Sequence, residues 1–569
     1  MYFWNQRGLD VIDRDEAIAI VTAEGQPWEV QEVMVHGKPR KWFVNGPQTL
    51  RELYEQNLTD GEFLVYEDER YTFTEAYQRA SSLAHHLKAD FDVKPGDRVA
   101  IAMRNYPEWS LAFTAITSLG AIAVAINAWW EADEINYALD HTGISLVLAD
   151  EERIERIQRI SPPVSLPIIS VRCQNDYPSV VPMDELLNGH EAMPEANIAT
   201  DDDAVILFTS GSTGHPKGSV STHRNIIAAL LSWETDYAAI AAAKKRAGGQ
   251  PGAPVKNQGT LLGMPLFHVN GLLAVLLSSY RTQRRVLCMY KWDPEVACDV
   301  IEKEQVTVVV ATPAMTGDLT DKARELGRDL ASLRSVGGGG APRATSQVEG
   351  IDKQFKNATP TTGWGMTETN SIGTGIYAED YLEHPQSSGR VSVMLEIAVV
   401  DTEDNFLPAN ERGELLVRGT SVIHGYWNRP DANEDSFMGD WFRTGDVAYI
   451  DEDGYLFIVD RIKQLIIRGG ENIGCGEVED ALLDHPDVVE VSVYGVPDER
   501  LGENVGATIF SKSVLEESAL REFLEARLAK FKIPHYVKTT TDALPRIASG
   551  KIDKRVLRQA HLDELGIDA

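Results

Sequence analysis

The stretch "AVILFTSGSTGHPKG", residues 204–218, gives the strongest indication of the fold. Its five apolar residues predict a buried strand. The ten that follow are mostly glycine and hydroxyl residues with one lysine, and such a loop lets backbone N–H groups converge on an anion. A Walker A loop is excluded, because it needs glycine at 216 and Ser or Thr at 218, where the chain has Pro216 and Gly218. From these residues alone, an anion-binding loop and a solvent-exposed turn both remain open.

Bulk composition narrows the class of protein. The chain has 569 residues, of which 43% are hydrophobic and 25% charged, as in soluble proteins with several globular units. A formal net charge of −32 argues against nucleic acid as a main partner. The four cysteines form no C-x-x-C pair, which favours a reducing cytoplasm over a disulfide framework. The N-terminus shows no basic stretch before an apolar core, so we expect no export signal.

One uncharged run, residues 109–130, is long enough to span a bilayer. Gly120 divides it into a helix-like half and a strand-like half, and polar residues interrupt both. We therefore predict a buried helix followed by a strand, and no membrane span.

Short β-rich runs alternate with longer helical stretches, which predicts α/β layers. Residues 241–259, rich in Gly, Pro and Lys, predict a surface loop. Beyond Gly445, "GDVAYIDEDGYLFIVDR" predicts a hairpin turning at "DEDG", and two helix-plus-strand units follow. We place the domain boundary at 460–463, giving domains 1–459 and 460–569.

Three further stretches carry candidate chemistry. "TTGWGMTETN", residues 361–370, offers Trp364 for stacking on a base, and Thr367 and Glu368 for Mg²⁺. The alternative is a turn with a surface glutamate.

In "WFRTGDVAYIDEDGYLFIVDR", Asp446 can accept hydrogen bonds from a ribose diol and Arg461 stands at the proposed boundary. Structural salt bridges are the alternative there. In "LPRIASGKIDKRVLR", Lys551 follows a Ser-Gly turn, and a solvated surface lysine is the alternative.

Together, "FTSGSTGHPKG", "GWGMTET", "FRTGD…DR.K" and "LPR..SGKI" resemble the adenylate-forming superfamily in order and spacing. That superfamily includes acyl-CoA ligases, peptide-synthetase adenylation domains and beetle luciferase. The resemblance extends from about Tyr71 over nearly the whole remaining chain. It implies an α/β, multi-domain fold, with a large N-terminal domain of αβ-layered subdomains and a small mobile C-terminal α+β domain. It also implies a two-step reaction, in which a carboxylic acid and ATP form an acyl-adenylate and CoA then displaces AMP.

The resemblance assigns roles to particular residues. The ATP phosphates are expected on Thr209, Ser210, Gly211, Ser212, Thr213 and Gly214, with Lys217 adding a positive charge. Adenine and ribose are expected on Gly339, Gly340, Ala341, Pro342, Trp364, Gly365, Asp446 and Arg461. Glu368 is the expected Mg²⁺ ligand, with Thr367 near the phosphate. Lys551 is expected at the substrate carboxylate and α-phosphate, Lys463 at the hinge and Gly470 beside the pantetheine tunnel. Trp364 stands where the family usually has tyrosine.

The segment "MPLFHVNG", residues 264–271, resembles the family's carboxylate pocket, with His268 as a gate and Val269 and Gly271 beside it. A satisfied core histidine is the alternative for His268. The glycines at 337–340 leave room beside the adenylate, so we expect a medium- or long-chain, or bulky ring-bearing, hydrophobic acid.

Other functions remain open at this point. An enzyme that loads a separate carrier protein would perform the same first step, and luciferase-type oxygenation has no distinguishing sequence feature. Eighteen residues follow Lys551, so we expect no fused carrier domain. A binding protein without activity would be expected to lack Lys551 or Glu368. The expected partners are a carboxylic acid, ATP, Mg²⁺ and CoA, and a homodimer stays open.

Overall fold

The structure is a computed structural model that describes residues 13–35, 37–189, 192–209, 216–246, 257–341, 343–462, 465–468, 471–498, 500–513, 515–525, 527–546 and 551–567. The helices are α1 (Arg14–Val21), α2 (Leu50–Glu55), α3 (Phe73–Ala89), α4 (Pro107–Ser118), α5 (Ala132–Thr142), α6 (Glu151–Gln158), α7 (His223–Arg246), α8 (Ser278–Thr282), α9 (Pro294–Glu304), α10 (Pro313–Glu325), α11 (Thr345–Gln354), α12 (Ala378–Glu383), α13 (Pro430–Ser436), α14 (Cys475–Leu483), α15 (Glu517–Glu525) and α16 (Lys554–Leu565).

The strands are β1 (Val30–Val35), β2 (Lys38–Phe43), β3 (Glu62–Tyr66), β4 (Glu69–Thr72), β5 (Arg98–Ala102), β6 (Ile122–Ala125), β7 (Leu146–Asp150), β8 (Ile168–Val171), β9 (Val180–Pro182), β10 (Asp203–Thr209), β11 (Lys217–Thr222), β12 (Gly259–Leu262), β13 (Arg285–Cys288), β14 (Val308–Val310), β15 (Ser335–Gly338), β16 (Thr359–Thr362), β17 (Thr374–Tyr377), β18 (Gly389–Val391), β19 (Leu395–Val400), β20 (Gly413–Gly419), β21 (Gly425–Tyr426), β22 (Phe437–Met438), β23 (Trp441–Ile450), β24 (Tyr455–Arg461), β25 (Ile466–Arg468), β26 (Glu471–Ile473), β27 (Val488–Asp498), β28 (Gly502–Ser511) and β29 (Tyr536–Thr540).

Two large sheets form the N-terminal domain, and helices pack on them. The first sheet runs β21-β11-β10-β6-β5-β7-β8-β9, and the second runs β19-β20-β23-β24-β18-β17-β16-β15-β14-β12-β13-β3-β4, with β22 beside β23. Strands β10, β6, β5 and β7 are parallel to one another along the first sheet, as are β13, β12, β14, β15 and β16 along the second. Because the carboxyl ends of parallel strands share one sheet edge, loops that follow them are brought together. The α/β fold class is confirmed.

The run at residues 109–130 folds as predicted, into helix α4 and strand β6. Every residue of β6 is buried, and Trp109 is fully buried. Gly120 separates the two elements with φ +74, a left-handed conformation that glycine adopts without strain.

Strands β10 and β11, which stand on either side of residues 210–215, are antiparallel neighbours, and residues 210–215 themselves lie outside the described residues. Strand β10 is buried through its centre, as the run "AVILF" predicts, and it pairs with β11 from Asp203↔Thr222 to Thr209↔Lys217. The chain then enters α7 at His223. A P-loop leads from a strand directly into a helix. Here strand β10 is followed by strand β11 and only then by α7, which agrees with the absence of the Walker A spacing.

The C-terminal unit has its own sheet and core. Strands β26-β25-β28-β27 and β29 form a five-stranded sheet, on which α14 and α15 pack through Val478, Leu482 and Leu520. The hairpin predicted at "DEDG" is present as β23 and β24. Strand β24 belongs to the large sheet and ends at Arg461, whereas β25 starts at Ile466 in the small one.

An N-terminal segment covers the outer face of α7. Ala17 and Val21 of α1 form a small buried cluster with Ala239 and Ala243 of α7. The surface loop predicted over 241–259 is therefore wrong at its start, because α7 continues to Arg246 and buries Ala243 under α1. Residues 247–256 lie outside the described residues, and β12 begins at Gly259.

Helix α7 is also the one helix, within the described part of the chain, that is long and apolar enough to cross a membrane. Of its most apolar window, 61% is buried inside the protein, as in the core helix of a globular domain.

Candidate active site

Two glycine-rich loops meet where β15 and β16 end. These neighbouring strands are parallel, with Gly338 opposite Thr362, so the segments 339–341 and 363–365 leave the sheet side by side. A Cβ built on Gly339 would lie 2.8 Å from the carbonyl oxygen of Gly363, closer than real Cβ atoms come. The loops therefore approach each other as only glycine allows, and they bring Gly339, Gly340, Ala341, Trp364 and Gly365 together.

Trp364 is anchored inside this edge. Its ring packs against the backbone of Gly373, where an added Cβ would lie 2.3 Å from the indole. Its indole N–H donates a hydrogen bond to Oδ2 of Asp446 at 2.8 Å. The tryptophan thus has a polar contact of its own, made with the residue expected to bind ribose.

Asp446 is almost fully buried on β23, at 2% exposure, and both of its oxygens have partners. Arg461 lies opposite it on β24 and brings its Nε to 2.5 Å from Oδ1. Burial raises the pKa of the Asp446 carboxyl, while Arg461, Trp364 and Lys551 favour the charged form. The carboxylate is held in place and keeps further lone pairs for ribose hydroxyls.

Glu368 is buried beside the start of β11. Its Oε1 accepts a hydrogen bond from the hydroxyl of Tyr426 at 2.8 Å. Burial raises the pKa of Glu368, and the Tyr426 hydrogen bond, Arg461 and Lys217 act in the opposite direction. Lys217 places its Nζ 4.7 Å from the centroid of the Tyr426 ring. Thr367 is half-buried in the single 3₁₀ turn that carries Glu368.

Lys551, from the C-terminal unit, reaches this same site. It lies within electrostatic range of Arg461, Asp446 and His268. Its side chain contacts solvent, but the surrounding protein removes part of its hydration, and this loss together with Arg461 lowers its pKa. The structure therefore brings Lys551 together with the predicted ribose-binding pair.

The His268 ring lies 4.7 Å from the ring of Phe267, and Lys551 acts on it electrostatically. Its Nε2 is buried without a hydrogen-bond partner among the described residues. Burial, followed by the positive charge of Lys551, lowers its pKa to about 4, so the imidazole is neutral at physiological pH. A neutral, unsatisfied ring beside the reacting centre fits the predicted gate better than a satisfied core histidine.

Other predicted residues are placed as follows. Val269 is buried. At Gly271, an added Cβ would lie 2.3 Å from the carbonyl oxygen of Pro265, so glycine there permits a tight turn. Thr209 ends β10, and its hydroxyl donates to the carbonyl of Lys217 at 3.4 Å. Ser210, Gly211, Ser212, Thr213, Gly214, Pro342, Lys463 and Gly470 lie outside the described residues.

Sequence analysis missed Tyr426. It is brought to Glu368 because β21 pairs with β11, with Tyr426 opposite Ser219. The local sequence "HGYWNRP" contains no signal for this contact, since it depends on pairing between distant strands.

The charges around the site fit a magnesium nucleotide. Lys217 and Arg461 act electrostatically on the carboxylate of Glu368, and Arg461 and Lys551 act on that of Asp446, so three cations lie at this site in a protein of net charge −32. Glu368 offers a buried hard oxygen, the donor that Mg²⁺ prefers.

Comparisons with known proteins agree with this geometry. The AMP-binding enzyme family matches residues 52–427, and the AMP-binding enzyme C-terminal domain matches residues 477–551. The long-chain-fatty-acid–CoA ligase FadD13 of Mycobacterium tuberculosis is 32% identical over 507 residues, covering 87% of this chain and 94% of that protein. Feruloyl-CoA synthase of Amycolatopsis sp is 32% identical over 498 residues, covering 86% and 93%.

Among solved structures, o-succinylbenzoate CoA synthetase (MenE) from Bacillus subtilis, in complex with the acyl-adenylate intermediate OSB-AMP, matches with a TM-score of 0.76 at 29% identity. That match covers 90% of this chain and 98% of the other. With family matches over both parts of the fold, this chain belongs to the AMP-binding enzyme family.

Proposed function

We propose that this protein activates a hydrophobic carboxylic acid with ATP and transfers the acyl group to CoA. It is an AMP-forming acid–thiol ligase. The observation that supports this function best is the position of Lys551, which the C-terminal unit delivers to Asp446, Arg461 and His268. This arrangement suits the first half-reaction, in which an acid attacks the α-phosphorus of ATP.

Both reactants in that step are anions, so the barrier falls mainly through positioning and charge neutralisation. Lys551 neutralises charge between the acid and the α-phosphate, and Lys217 does so at the β- and γ-phosphates. Asp446 orients the ribose while Trp364 holds Asp446. Glu368 would hold Mg²⁺, which supplies Lewis-acid neutralisation of the phosphates.

A hydrophobic acid is supported by the wall that follows His268. The chain continues there as a π-helix, Asn270–Leu277, whose later residues are all apolar and mostly buried. Relatives include enzymes named for long-chain fatty acids, ferulate and 2-succinylbenzoate. We assign this protein an acid with a long-chain or ring-bearing apolar part, and a role in fatty-acid or aromatic-acid metabolism.

CoA is the proposed acceptor, because the named relatives are CoA ligases. We further propose that Lys551 leaves the site when the C-terminal domain rotates for the thiol step. A cytoplasmic location is supported by four cysteines that are spread along the chain with no C-x-x-C pair. We propose no membrane span, since α7 is largely buried. A measurement of molecular mass in solution distinguishes a monomer from a homodimer.

The test is a pyrophosphate-release assay with ATP, Mg²⁺ and a panel of fatty, aryl and short-chain acids, run with and without CoA. We expect acid-dependent pyrophosphate with the hydrophobic members, and a thioester when CoA is present. An acid-dependent adenylate that never yields a CoA thioester would favour a carrier-protein acceptor. Pyrophosphate release from no acid in the panel would overturn the proposal.

A further inference from the structure

An arginine without an acidic partner lies near the site, where strands of both large sheets end. Arg104 follows β5, Trp129 follows β6 and Tyr290 follows β13. The Arg104 guanidinium carbon lies 4.6 Å from the centroid of the Trp129 ring and 5.1 Å from that of Tyr290. The charge is therefore held between two aromatic faces.

This guanidinium has no acceptor among the described residues. Within the part of the chain that the structure describes, its Nε is buried without a hydrogen-bond partner and no carboxylate forms an ion pair with it. The nearby carboxylate of Asp150 is already used, because Arg153 binds both of its oxygens and the backbone N–H of Arg104 donates to Oδ2 at 3.1 Å. In a chain with 86 acidic and 54 basic residues, an arginine left unpaired is unexpected.

Arg172 supplies an internal comparison. Its guanidinium also lies between two aromatic rings, each 5.0 Å away, those of Tyr66 and Tyr106. Unlike Arg104, it is bound by Glu69 at 2.8 Å and by Glu108 at 2.9 Å. Both arginines therefore stack on aromatic rings, but Arg172 is neutralised by two glutamates and Arg104 is not.

Aromatic contacts connect Arg104 with the reacting centre. The Trp129 ring meets Phe267 edge-on at 4.8 Å between centroids, and the Phe267 ring lies 4.7 Å from that of His268. An extended phosphopantetheine arm is roughly four to five residue lengths long, or about 14–17 Å. Together with the 4.6 Å between Arg104 and Trp129, these contacts form a path that such an arm can span. Arg104, Trp129 and Tyr290 are all partly exposed, so a substrate can reach them from solvent.

We propose that Arg104, with Trp129 and Tyr290, binds a phosphate of the CoA nucleotide. This inference rests on the proposed acid–CoA ligase function and names the part of the thiol substrate that the site recognises. Arginine binds phosphate through paired N–H groups, and the two rings offer faces for the adenine. The same guanidinium would also suit a carboxylate at the far end of the acid, and the experiment separates these two sources of the anion.

The experiment compares Arg104→Gln and Arg104→Lys with the unaltered enzyme in three assays. These are acid-dependent ATP–pyrophosphate exchange, thioester formation with CoA, and thioester formation with pantetheine, which lacks the nucleotide. We expect Arg104→Gln to raise the KM for CoA about 10-fold or more, with Arg104→Lys recovering part of the loss. Pyrophosphate exchange and the reaction with pantetheine should stay unchanged.

Arg172→Lys is the matched control, and the KM for CoA should stay unchanged in it. A direct measurement with adenosine 3′,5′-bisphosphate, followed by Trp fluorescence, should show binding that weakens in Arg104→Gln. Equal losses with CoA and pantetheine would overturn the proposal, and so would a raised KM for the acid, which assigns Arg104 to the acid instead. Absence of pyrophosphate exchange in the unaltered enzyme would contradict the ligase function itself. Failure of the proposed function is therefore distinguishable from failure of the role of Arg104.

If Arg104→Gln does not fold, competition in the unaltered enzyme tests the site. Adenosine 3′,5′-bisphosphate should then compete with CoA and quench Trp fluorescence, and this quenching should be absent in Trp129→Phe. Persistence of the quenching in Trp129→Phe would overturn the proposed location.

Discussion

The indole N–H of Trp364 donates a 2.8 Å hydrogen bond to the buried carboxylate of Asp446. The family usually has tyrosine at this position, and its hydroxyl can make a polar contact. The sequence alone does not show which group the indole N–H of Trp364 would contact instead. The structure supplies that partner. Trp364, expected beside the adenine, is thus bonded to Asp446, expected at the ribose.

Trp364→Phe keeps a flat ring but removes the N–H. A hydrogen bond to a charged group contributes about 1.5–3 kcal/mol, so we expect the KM for ATP to rise about 10-fold. Trp28→Phe is the matched control, because Trp28 also donates its indole N–H to a carboxylate, Glu234, away from the site. An unchanged KM for ATP in Trp364→Phe would contradict a role for this bond.

Tyr426→Phe should change how the enzyme responds to Mg²⁺ and to pH. The Tyr426 hydroxyl stabilises ionised Glu368, so its loss moves the already raised pKa of Glu368 further up. A carboxyl must be ionised to bind Mg²⁺, and activity falls as pH drops through that pKa. We expect the acidic limb of the adenylation rate to move to higher pH, and more Mg²⁺ to be needed for half-maximal rate.

The control for this change is Tyr455→Phe. Tyr455 donates its hydroxyl to Asp380 at 2.6 Å, outside the site, so its removal should leave the Mg²⁺ dependence unchanged. An identical acidic limb in Tyr426→Phe and the unaltered enzyme would refute the role of Tyr426.

Lys551→Ala should reduce the adenylation rate about 10²–10³-fold, the usual cost of removing one donor to developing charge. Thioester formation from a supplied acyl-adenylate should be unaffected. Lys551 neutralises charge only when it is protonated, so adenylation should decline as pH rises through its pKa. Because this pKa is lowered, the decline should begin at a lower pH than the pKa of an ordinary lysine would give. Arginine stays protonated, and Lys551→Arg should abolish that alkaline decline.

Glu490 positions the segment that carries Lys551. Its Oε2 accepts from the backbone N–H of Leu544 at 2.7 Å, and its Oε1 pairs with Arg546. Arg546 in turn forms a backbone bridge with Ile552, the residue that follows Lys551. Glu490→Ala should therefore slow adenylation about 10-fold while leaving the thiol step unchanged.

Glu477→Gln provides the comparison for Glu490. Glu477 pairs with Lys532 at 2.6 Å elsewhere in the C-terminal unit, and its loss should not affect adenylation. Equal slowing of both half-reactions in Glu490→Ala would mean that Glu490 only stabilises the domain.

Sequence patterns predicted the features that depend on neighbours along the chain. Strand β10 follows from five apolar residues, and the β23–β24 hairpin follows from its turn residues. Asp446 and Glu368 were predictable because short motifs carry them.

Contacts between segments that are distant in the sequence cannot be predicted from such patterns. Tyr426 reaches Glu368 through the pairing of β21 with β11. Arg104 acquires its aromatic neighbours only when two sheets end at one place. The end of α7 cannot be predicted from its own alanines and lysines, because they are typical of a surface segment and are buried only by the contact with α1.

That covering segment bears on where a recombinant chain should begin. The family match starts at residue 52, yet Arg14 pairs with the buried carboxylate of Asp236 at 3.1 Å and donates to the carbonyl of Val391 at 2.8 Å. An expression fragment trimmed to the family match would leave that carboxylate without its cation and open the alanine face of α7 to water. Residues 13–51 therefore belong in any fragment designed for crystallisation or assay.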